Sequence, residues 1–545
     1  MPSFNLLDEA WLRARRLRDG EITEVSVREA LLASHEIDGL VVDLPTQLPA
    51  VMRQVLLPIV LDALDPPADR EAWGRRFAAG EFSSQERDAL LGYLDEHRSR
   101  FDLFDEECPF AQVGGLTTKN GETKGAALLV ATAATGNNVP LFASRTEGDP
   151  LPLTPAQAAL WLLHAQCWDT AAIKTGAKGD PQVKAGKTTG NPTGPLGQLG
   201  VLIPTGRTLY ETIMLNLPIG LPVIKGTPQW RRKPAGPAWE TRAEDGILDL
   251  WTWQARRIRL FPEETPEGLR VARVLVCAGD RLSRISEREP HTAWTCRKSS
   301  KSRTGLERKP RRHTPGKAIW RGLDALLATE PTRIGTGVYE TSVLLKQISD
   351  LQEEGYIPET YPLGLETYGM TYGTQSAVVE DVIHDSVPLP VRALRGNDDV
   401  HALLIEVTQQ AEQLAQAVNN LSADLRRAVG ADPIPWDKGQ RPGELVLHAL
   451  DPLVRRLLAG VRDDSGDEEK LERGQQAWEQ LAYLKTWEVA ETLFSVAPPL
   501  VFAGRERTEE GATVTYRLGT AERGFRRALN QILPRAAAAR REGNE

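Results

Sequence analysis

The pattern of apolar residues after Pro390 places the strongest constraint on the fold. Between residues 400 and 425, apolar side chains recur at intervals of three and four, the spacing of one face of an α-helix. They are Val400, Leu403, Val407, Ala411, Leu414, Val418, Leu421 and Leu425. Asn397 and Asp398 can cap the start of such a helix, and Gly430 can end it. The spacing therefore predicts one long amphipathic helix.

Three further stretches with helical spacing follow, at residues 443–462, 468–496 and 519–541. Gly/Pro-rich or acidic segments separate them, including the acidic run at 463–467. Four amphipathic helices with fairly short connections can bury their apolar faces by packing around a common core. We therefore predict that residues 389–545 form a four-helix bundle.

Residues 1–388 contain a mixture of helix and strand signals. Helical spacing is present at residues 27–32 and 52–64, whereas short β-branched or apolar runs at 200–203 and 271–276 favour strands. Because these signals do not alternate regularly, they argue against a doubly wound sheet or a (β/α) barrel. A chain of 545 residues also exceeds what one hydrophobic core usually serves. The expected fold class is α+β, with a large mixed α/β N-terminal domain followed by the four-helix bundle.

The composition is that of an ordinary globular protein, with 41% hydrophobic and 26% charged residues. No apolar run approaches the roughly 20 residues of a membrane-spanning helix, and the N-terminus lacks the basic and apolar regions of a signal peptide. We therefore expect a cytoplasmic protein without a membrane partner. The four cysteines lie far apart and form no C-x-x-C pair, so the sequence predicts neither a zinc site nor another cofactor.

The net charge of −8 is unevenly distributed along the chain. Residues 297–317 carry nine Lys or Arg and one acidic residue. An acidic body with a concentrated basic segment suits local contact with phosphates, although a solvated basic loop explains the same run equally well. Residues 176–200 contain seven glycines and three prolines. Both segments are predicted to be long loops, with a function or with mobility of their own.

Two short motifs suggest an enzyme, and neither is complete. Gly186-Lys187-Thr188 resembles the end of a phosphate-binding loop, but the position that requires the first glycine holds Pro181, which has no N–H. His384-Asp385 resembles half of a metal-dependent phosphohydrolase signature, and the scattered histidines supply no convincing further ligands. The sequence therefore assigns no catalytic and no metal-binding residues. The alternative function is a nucleotide-dependent or metal-dependent nucleic-acid enzyme that uses the 176–200 loop or His384 and Asp385.

Five segments, in the same order along the chain, resemble those of one protein family. They are Phe4-Asn5-Leu6-Leu7-Asp8-Glu9, Asp43-Leu44-Pro45-Thr46-Gln47, Pro109-Phe110-Ala111-Gln112-Val113, Ile173-Lys174-Thr175-Gly176 and Tyr372-Gly373-Thr374-Gln375-Ser376. The family is CasA, the large subunit of Cascade, the type I-E CRISPR surveillance complex. The resemblance covers most of the chain and is architectural only over the C-terminal bundle.

Membership in this family implies a non-catalytic subunit of a CRISPR RNA-guided interference complex. Its partners would be the backbone and small subunits of Cascade, the CRISPR RNA, double-stranded target DNA and a helicase–nuclease. The resemblance implies that the chain checks the DNA for a short flanking motif, the PAM, through the minor groove. It also implies that the chain helps to open the duplex for R-loop formation and to recruit the helicase–nuclease.

Gln375, together with Gly373 and Thr374, falls where the family has its glutamine wedge. From the residues alone, this turn-prone segment predicts the tip of a loop or hairpin before a helical run at 377–383, and a Gln at such a tip is usually just solvated. A wedge that enters the minor groove unstacks a base step, and an amide can hydrogen-bond the exposed base edges. The resemblance therefore implies that Gln375 begins strand separation beside the PAM.

The family's glycine-rich minor-groove loop corresponds to residues 168–174, which include Thr170, Ala171, Ala172 and Lys174. Alanines stand where glycines are expected. They still allow the backbone to approach the groove, but they disfavour a positive φ. Because the minor groove mainly separates A·T from G·C pairs, such reading would tolerate several flanking motifs.

Two further groups are assigned by the resemblance. Arg281 and Arg284 lie nearest to the place of a minor-groove lysine in the family, and the alternative is that they are surface charges. Phe142, with Asn137 and Asn138, matches a loop that anchors the subunit near the 5′ end of the guide RNA. An aromatic ring there would stack on an unpaired base, whereas a buried core Phe is the alternative.

The charge pattern adds a set of expected contacts with DNA phosphates. They are Arg308, Lys309, Arg311, Arg312, Lys184 and Lys187. Four of the arginines in the last predicted helix could also guide the displaced strand or touch neighbouring subunits. They are Arg523, Arg526, Arg527 and Arg535. Contacts of this kind would weaken with rising salt and would not depend on the DNA sequence.

Overall fold

The computed structural model of the protein describes residues 2–133, 151–183, 191–220, 225–298, 306–334, 337–435, 441–464, 467–509 and 512–542. In these residues, mixed helices and strands precede a series of C-terminal helices, which confirms the predicted α+β fold class. A short π-helical segment, Met52–Leu56, joins the second and third α-helices.

The β-strands are numbered along the chain. They are β1 (Leu12–Arg16), β2 (Ile22–Val25), β3 (Ile37–Val41), β4 (Lys124–Gly125), β5 (Val201–Thr205), β6 (Thr241–Arg242), β7 (Arg256–Thr265), β8 (Gly268–Ala278), β9 (Arg281–Leu282), β10 (Trp294–Lys298), β11 (Leu306–Pro310), β12 (Thr332–Ile334), β13 (Gly337–Glu340), β14 (Gly364–Tyr372), β15 (Val379–Pro388), β16 (Arg505–Glu509) and β17 (Ala512–Tyr516).

The α-helices are numbered in the same way. They are α1 (Val27–Leu32), α2 (Gln47–Val51), α3 (Leu57–Leu64), α4 (Arg70–Ala79), α5 (Ser84–His97), α6 (Pro155–Trp168), α7 (Leu209–Leu215), α8 (Ile247–Trp251), α9 (Leu323–Leu326), α10 (Val343–Glu353), α11 (Asp399–Ala428), α12 (Pro442–Asp463), α13 (Glu468–Ser495), α14 (Leu500–Ala503), α15 (Leu518–Ile532) and α16 (Pro534–Glu542).

The chain divides into two compact units. The first contains Met1–Lys317, Thr329–Ile357 and Gly364–Ser386, and the second contains Ala318–Ala328, Pro358–Leu363 and Val387–Glu545. The second unit thus takes in two short segments that precede the predicted bundle in the sequence. Apolar spacing within these segments does not assign them to the second unit, because they belong to it through tertiary packing.

Small sheets dominate the first unit. Their strand orders are β2-β1-β3, β11-β10-β13-β12, β15-β14-β5 and β4-β8-β7, with β6 and β9 as a separate parallel pair. The strands predicted at 200–203 and 271–276 are confirmed as parts of β5 and β8, and the predicted helix at 27–32 is confirmed as α1. Among the described residues, one helical stretch, 47–64, is long and apolar enough to cross a membrane, and 83% of it is buried inside the protein.

Helix α6 is the buried element that positions the candidate site. Its N-terminus has a capping box, in which Thr154 accepts from the Gln157 N–H and Gln157 accepts from the Thr154 N–H. The residues from Ala158 to Trp168 are all buried, as expected for a helix that is apolar on every face. The chain leaves the core at Asp169, so the following loop starts from a fixed point.

Strands β14 and β15 form a hairpin that joins β5 in one sheet. The helical run predicted at 377–383 is wrong, because these residues lead into the extended strand β15. Their β-branched side chains favour a strand, and pairing with β14 satisfies the backbone groups. In turn, β14 pairs with β5 from Gly364 opposite Thr205 to Tyr368 opposite Val201.

The loop predicted at 297–317 is wrong in part, because strands occupy both sides of this region. β10 and β11 pair from Trp294 opposite Pro310 to Lys298 opposite Leu306. β10 also pairs with β13, so β11 is the edge strand of a four-stranded sheet. Basic side chains on an edge strand discourage pairing with other chains.

Within the described residues, four long helices form the core of the second unit. α11 contacts α12, α13 and α15, and α12 contacts α13. Asp398 caps α11 by accepting from the Val400 N–H at 2.9 Å, as predicted. The predicted fourth stretch is not one helix, because Pro534 starts α16 after a break at Leu533. The hairpin of β16 and β17, which the sequence did not predict, precedes α15.

Candidate nucleic-acid interface

A tight turn joins β14 to β15 and carries Gln375. Gly373 begins the turn: its N–H donates to the Val378 carbonyl at 2.9 Å, and its carbonyl accepts from the Ser376 N–H at 2.8 Å. A 3₁₀ turn covers Thr374–Ser376. Thr374 and Gln375 are exposed. The turn therefore displays these two side chains at the tip of the hairpin.

Two successive residues of this turn have left-handed backbone angles. Gln375 has a φ of 57° and a ψ of 19°, and Ser376 has a φ of 54°. The left-handed region costs a residue with a Cβ atom roughly 1–2 kcal/mol, so the surrounding hydrogen bonds must maintain the turn. Strain of this kind is concentrated at functional sites, where it fixes the geometry of an exposed group.

The loop after α6 lies directly against this turn. The Ala171 N–H donates to the Ser376 carbonyl at 2.7 Å. The Tyr372 hydroxyl donates to the Trp168 carbonyl at 2.7 Å, across 204 residues of sequence. Both segments that the sequence singled out thus come together in the first unit. We call residues 168–174 and 373–376 the recognition cluster.

A buried ion-pair network holds the loop of the recognition cluster. The Asp169 carboxylate lies 2.7 Å from Lys174 Nζ and 2.5 Å from Arg256 Nε. Arg256 Nη2 also donates to the Thr170 and Pro192 carbonyls, at 2.9 Å each. Arg256, which lies on β7, thus contacts the loop at several points, and these contacts fix the path of the loop backbone.

Burial and charge act in opposite directions on the Asp169 carboxylate. Burial alone raises its pKa, but the charges of Lys174 and Arg256 outweigh burial and hold the pKa below its usual range. Burial lowers the pKa of Lys174, and the attraction of Asp169 opposes that change. Lys174 is only 9% exposed. Its ammonium group therefore supports the loop in this structure, whereas the loop itself carries the exposed surface.

Two glycines of the 176–200 segment allow the loop and the hairpin to approach each other. A Cβ atom at Gly194 would lie 2.2 Å from the Cys167 carbonyl oxygen, and one at Gly197 would lie 2.4 Å from the Tyr372 hydroxyl. Both distances are far below van der Waals contact, so a larger residue would displace the neighbouring element. This part of the predicted loop is packed against the recognition cluster.

Arg281 and Arg284 occupy different environments. The Arg281 guanidinium lies over the Trp239 ring, 4.0 Å from its centroid, and its Nη2 lies 3.4 Å from Asn191 Oδ1. Burial lowers the pKa of Arg281, and the charge of Arg256 acts in the same direction. Arg284 is exposed to solvent. Of the two, Arg284 presents the more accessible charge.

The segment after β11 braces the base of the hairpin. Arg312 Nη2 donates to the Gly197 and Met370 carbonyls, at 2.9 and 3.2 Å. The His313 ring lies 3.2 Å from the Val201 carbonyl oxygen, and burial lowers the pKa of His313 to about 4. The guanidinium of Arg312 therefore joins β14 to the packed glycine segment.

Three other basic residues that the sequence assigned to phosphate contacts lie on or beside β11. Arg308 pairs with Glu340 at 2.5 Å. The Arg311 guanidinium lies 5.7 Å from the centroid of the Tyr339 ring. Lys309 pairs with a neighbouring carboxylate at 3.6 Å, and 59% of its side chain is exposed. Lys309 is thus the most accessible of these three charges.

Several residues assigned from the sequence lie outside the described residues. They are Phe142, Asn137 and Asn138 of the expected RNA-contact loop, and Lys184 and Lys187 of the expected phosphate contacts. The motif at 186–188 that resembles a phosphate-binding loop also falls there.

His384 and Asp385 are neighbours on strand β15, and successive side chains of a strand point to opposite faces. The His384 ring stacks on the Tyr368 ring at 5.0 Å, and its Nε2 lies 3.8 Å from Glu366 Oε2. In the part of the chain that the structure describes, no group of three or more His, Cys, Asp or Glu residues is arranged to hold a metal ion. The dipeptide is accounted for by contacts within the hairpin.

Comparison with known proteins connects this arrangement to one family. A family model described as CRISPR-associated protein Cse1 matches residues 5–488. The chain belongs to the Cse1 family. The curated relative CasA/Cse1 of Thermus thermophilus is 28% identical over 486 residues, which are 85% of this chain and 89% of the relative. Since the family carries both names, the resemblance to CasA is confirmed.

Solved structures of Cse1 proteins share the fold. The crystal structure of Cse1 from Acidimicrobium ferrooxidans is 32% identical, covers 98% of this chain and 99% of its own, and has a TM-score of 0.80. A chain of a CRISPR RNA-guided surveillance complex is 19% identical, with a TM-score of 0.62 and a coverage of 98% of this chain and 100% of that chain. The latter likeness shows the fold alone.

Sequence reasoning placed Asp169 and Tyr372 in matching segments of this Cse1 site without giving them a role, and it missed Arg256 altogether. Asp169 is the first charged residue after the apolar run of α6, which is a weak local signal for a buried ion pair. Arg256 lies 87 residues away from it, so no spacing rule connects the two. Contacts between positions so far apart in sequence are the kind that paired variation among relatives reports.

Proposed function

We propose that the chain is the non-catalytic large subunit of a type I-E CRISPR RNA-guided interference complex. In this role it recognises the PAM of double-stranded DNA through the minor groove and opens the adjacent duplex. The hydrogen bond between Ala171 and Ser376 carries the proposal. It joins the segment that the family resemblance assigns to groove reading with the segment that it assigns to strand separation.

Strand separation is the task of Gln375. Unstacking one base step costs a few kcal/mol, so the inserted group must be held rigidly and must replace lost contacts. The left-handed turn supplies the rigidity, and the amide can donate to or accept from an exposed base edge. The opened bases can then pair with the guide RNA, whose heteroduplex is about as stable as the DNA duplex that it replaces.

Groove reading is the task of Thr170, Ala171 and Ala172. Small side chains allow the loop to enter the minor groove, which is roughly 6 Å wide. Arg256 donates to the backbone of the loop, so the loop is already ordered and has little conformational freedom to lose when it binds DNA. Because the groove presents similar acceptors for A·T and T·A pairs, we expect several related PAM sequences to be accepted.

Charge brings the DNA to this surface in spite of the net charge of −8. Lys309 and Arg284 are exposed cations of the first unit and are suited to phosphate contact. Arg312 is engaged at the base of the hairpin, so its main role is to brace β14. Phosphate contacts position the protein, while the recognition cluster supplies specificity.

The partners follow from the same proposal. They are the backbone and small subunits of Cascade, the CRISPR RNA, double-stranded DNA and a helicase–nuclease, and bond cleavage is left to the last of these. We expect the reconstituted complex to neither hydrolyse ATP nor cut DNA before the helicase–nuclease is added. ATP hydrolysis by this chain would favour the alternative of a nucleotide-dependent enzyme.

Replacing Gln375 with Ala tests the proposal. The variant should fold, assemble and bind a pre-melted target as the wild type does, because the side chain is exposed at the turn. Opening of an intact duplex should fall at least tenfold, since loss of a few kcal/mol of contacts with the opened bases corresponds to that factor. Permanganate footprinting of thymines next to the PAM measures the opening.

A matched control is Gln85→Ala, which makes the same change at an exposed position of α5. This control should leave duplex opening unchanged. Loss of assembly by Gln375→Ala, or equal impairment on pre-melted DNA, would show that Gln375 is structural and would contradict the wedge.

A further inference from the structure

A cavity of about 390 Å³ lies in the first unit, on the other side of β7 from the recognition cluster. Arg256 and Arg257 are neighbours on this strand, and successive side chains point to opposite faces. Arg256 reaches Asp169, whereas Arg257 lies 2.6 Å from Asp280 and lines the cavity. The cavity is therefore a separate feature that the proposed function does not use.

Basic side chains dominate its walls. Five are basic and two are acidic: Arg100, Arg232, Lys233, Arg242, Arg257, Asp249 and Asp280. The formal excess is three positive charges. A lining with this balance attracts anions, because the low-dielectric walls of a cleft focus the electrostatic field.

Both carboxylates are already shared between guanidinium groups. Asp249 lies 2.6 Å from Arg242 and 3.3 Å from Arg232. Asp280 lies 2.6 Å from Arg257 and 3.6 Å from Arg242. Arg232 also pairs with Asp245, and Arg242 lies 4.0 Å from Glu240, so all three of these arginines are paired within the protein. Burial lowers the pKa of Arg257, and the nearby Arg242 charge acts in the same direction, against the attraction of Asp280.

The remaining two cations are Arg100 and Lys233. Among the described residues, neither Arg100 nor Lys233 forms an ion pair with a carboxylate; Arg100 instead donates to the Arg232 carbonyl at 3.1 Å. Lys233 is exposed, whereas Arg100 is half-buried. Two cations that line one cavity without a counter-ion are suited to a dianion that enters from solvent.

The rest of the lining suits an organic ligand rather than a bare ion. Phe110 and Trp230 contribute apolar surface, and the amides of Gln229 and Gln254 bond to each other at 2.7 Å on the wall. A volume near 400 Å³ lies within the usual range of small-ligand sites, about 300–1,000 Å³. A planar guanidinium group can also donate two hydrogen bonds to two oxygens of the same phosphate.

We propose that this cavity binds a phosphomonoester, either a free nucleoside monophosphate or the 5′-phosphorylated end of a nucleic acid. Lys233 and Arg100 contact the dianionic phosphate, and the Gln229–Gln254 pair lies beside the nucleoside. The proposal does not depend on PAM recognition, because none of the residues that it uses belongs to the recognition cluster.

Isothermal titration of the full-length chain with adenosine 5′-monophosphate tests the site. The nucleotide should bind, adenosine should not, and Lys233→Glu should weaken binding at least tenfold. Lys119→Glu reverses the charge at another exposed lysine of the first unit and should leave binding unchanged. Arg100→Gln is a second variant, and equal melting temperatures would show that each variant is folded.

Competition identifies the source of the phosphate. A 5′-phosphorylated oligonucleotide that displaces the nucleotide, while its 5′-hydroxyl form does not, assigns the site to a chain end. Failure of both oligonucleotides to compete assigns it to the free nucleotide. Equal binding of adenosine and its monophosphate, no binding at millimolar nucleotide, or undiminished binding by folded Lys233→Glu would each overturn the proposal.

Discussion

At the scale of single residues, Asp169 determines the conformation of the recognition cluster. Its carboxylate lies between Lys174 and Arg256 in a buried site, and Arg256 carries the contact onward to Thr170 and Pro192. A buried ion pair contributes little net stability when it is complete, but removal of one partner leaves an uncompensated charge. The loop therefore depends on Asp169 more than on its own small side chains.

Asp169→Asn keeps the size of the side chain and leaves two buried cations without a carboxylate. We expect the free energy of unfolding to fall by about 3–5 kcal/mol, the usual effect of breaking a buried pair. Urea denaturation measures this change, and discrimination among PAM sequences should be lost with it. Asp381→Asn, at an exposed position of β15, should change stability by less than about 0.5 kcal/mol. Equal effects of the two substitutions would argue against this role of Asp169.

A second buried pair predicts how stability depends on pH. Glu289 accepts from both terminal nitrogens of Arg53, at 2.6 and 2.8 Å, and both residues are buried. Burial raises the pKa of Glu289, but the Arg53 charge and a hydrogen bond from His291 outweigh burial and lower the pKa to about 2. The carboxylate is therefore more acidic in the folded protein than in the unfolded chain.

The pair should contribute its full stability above the unfolded pKa of about 4.3 and lose it as the pH falls towards the folded value. We expect the unfolding free energy of the wild type to exceed that of Glu289→Gln by a constant margin near neutral pH. That margin should shrink between about pH 4 and pH 2. Denaturation curves at a series of pH values measure this margin. A margin that stays constant down to about pH 2 would contradict the contribution of the ion pair to stability.

At the scale of elements, the hairpin turn combines strain with a well-defined hydrogen-bond pattern. Ser376 has a positive φ, and its backbone joins both Gly373 and Ala171. The strain persists because these bonds oppose its release. The hairpin thus behaves as a rigid support for Gln375 rather than as a flexible loop.

Ser376→Gly should stabilise the turn by up to about 1 kcal/mol, because glycine adopts a positive φ without a Cβ clash. Ser376→Val should destabilise it, because a β-branched side chain tolerates that region poorly. Hydrogen exchange of the Gly373 amide, which bonds to the Val378 carbonyl, should slow in the first variant and accelerate in the second. Identical exchange in both variants would show that the turn is not strained.

Elements whose stabilising signals lie within their own sequence were predictable. Elements that depend on pairing with another segment of the chain were not. The spacing and the Asp398 cap of α11 predicted a helix correctly, since both signals lie within the helix. β15 was mistaken for a helix because its stability comes from pairing with β14. β11 was mistaken for a loop, since a run of Lys and Arg has no apolar alternation. At the candidate site, the sequence predicted an exposed Gln375 but not Arg256, which reaches the loop from a different strand.

At the scale of the whole molecule, charge is distributed between supporting and accessible positions. The basic segment after residue 297 is not a uniform patch. Arg308 is neutralised by Glu340 and Arg312 braces the hairpin, whereas Lys309 remains largely exposed. Only an exposed cation can replace the counter-ions of a phosphate when DNA binds.

Lys309→Gln in the assembled complex should weaken binding to all DNA sequences alike. The slope of log K against log salt should fall by about 0.9, the value for one lost phosphate contact on duplex DNA. Filter binding or fluorescence anisotropy over a range of salt measures the slope. Lys119→Gln provides the control, because it removes a charge at an exposed position outside the 297–317 segment. A selective loss for one PAM would instead mean that Lys309 reads bases.

The backbone link between Ala171 and Ser376 has a consequence for how specificity can evolve. Residues 168–174 and 373–376 lie far apart in the sequence but are in direct contact in the fold. A chimera that exchanges only one of them therefore packs it against a segment from a different homologue. Under the proposed function, transfer of a flanking-motif preference between homologues requires both stretches, together with Arg256. Recombination breakpoints that separate them should be selected against.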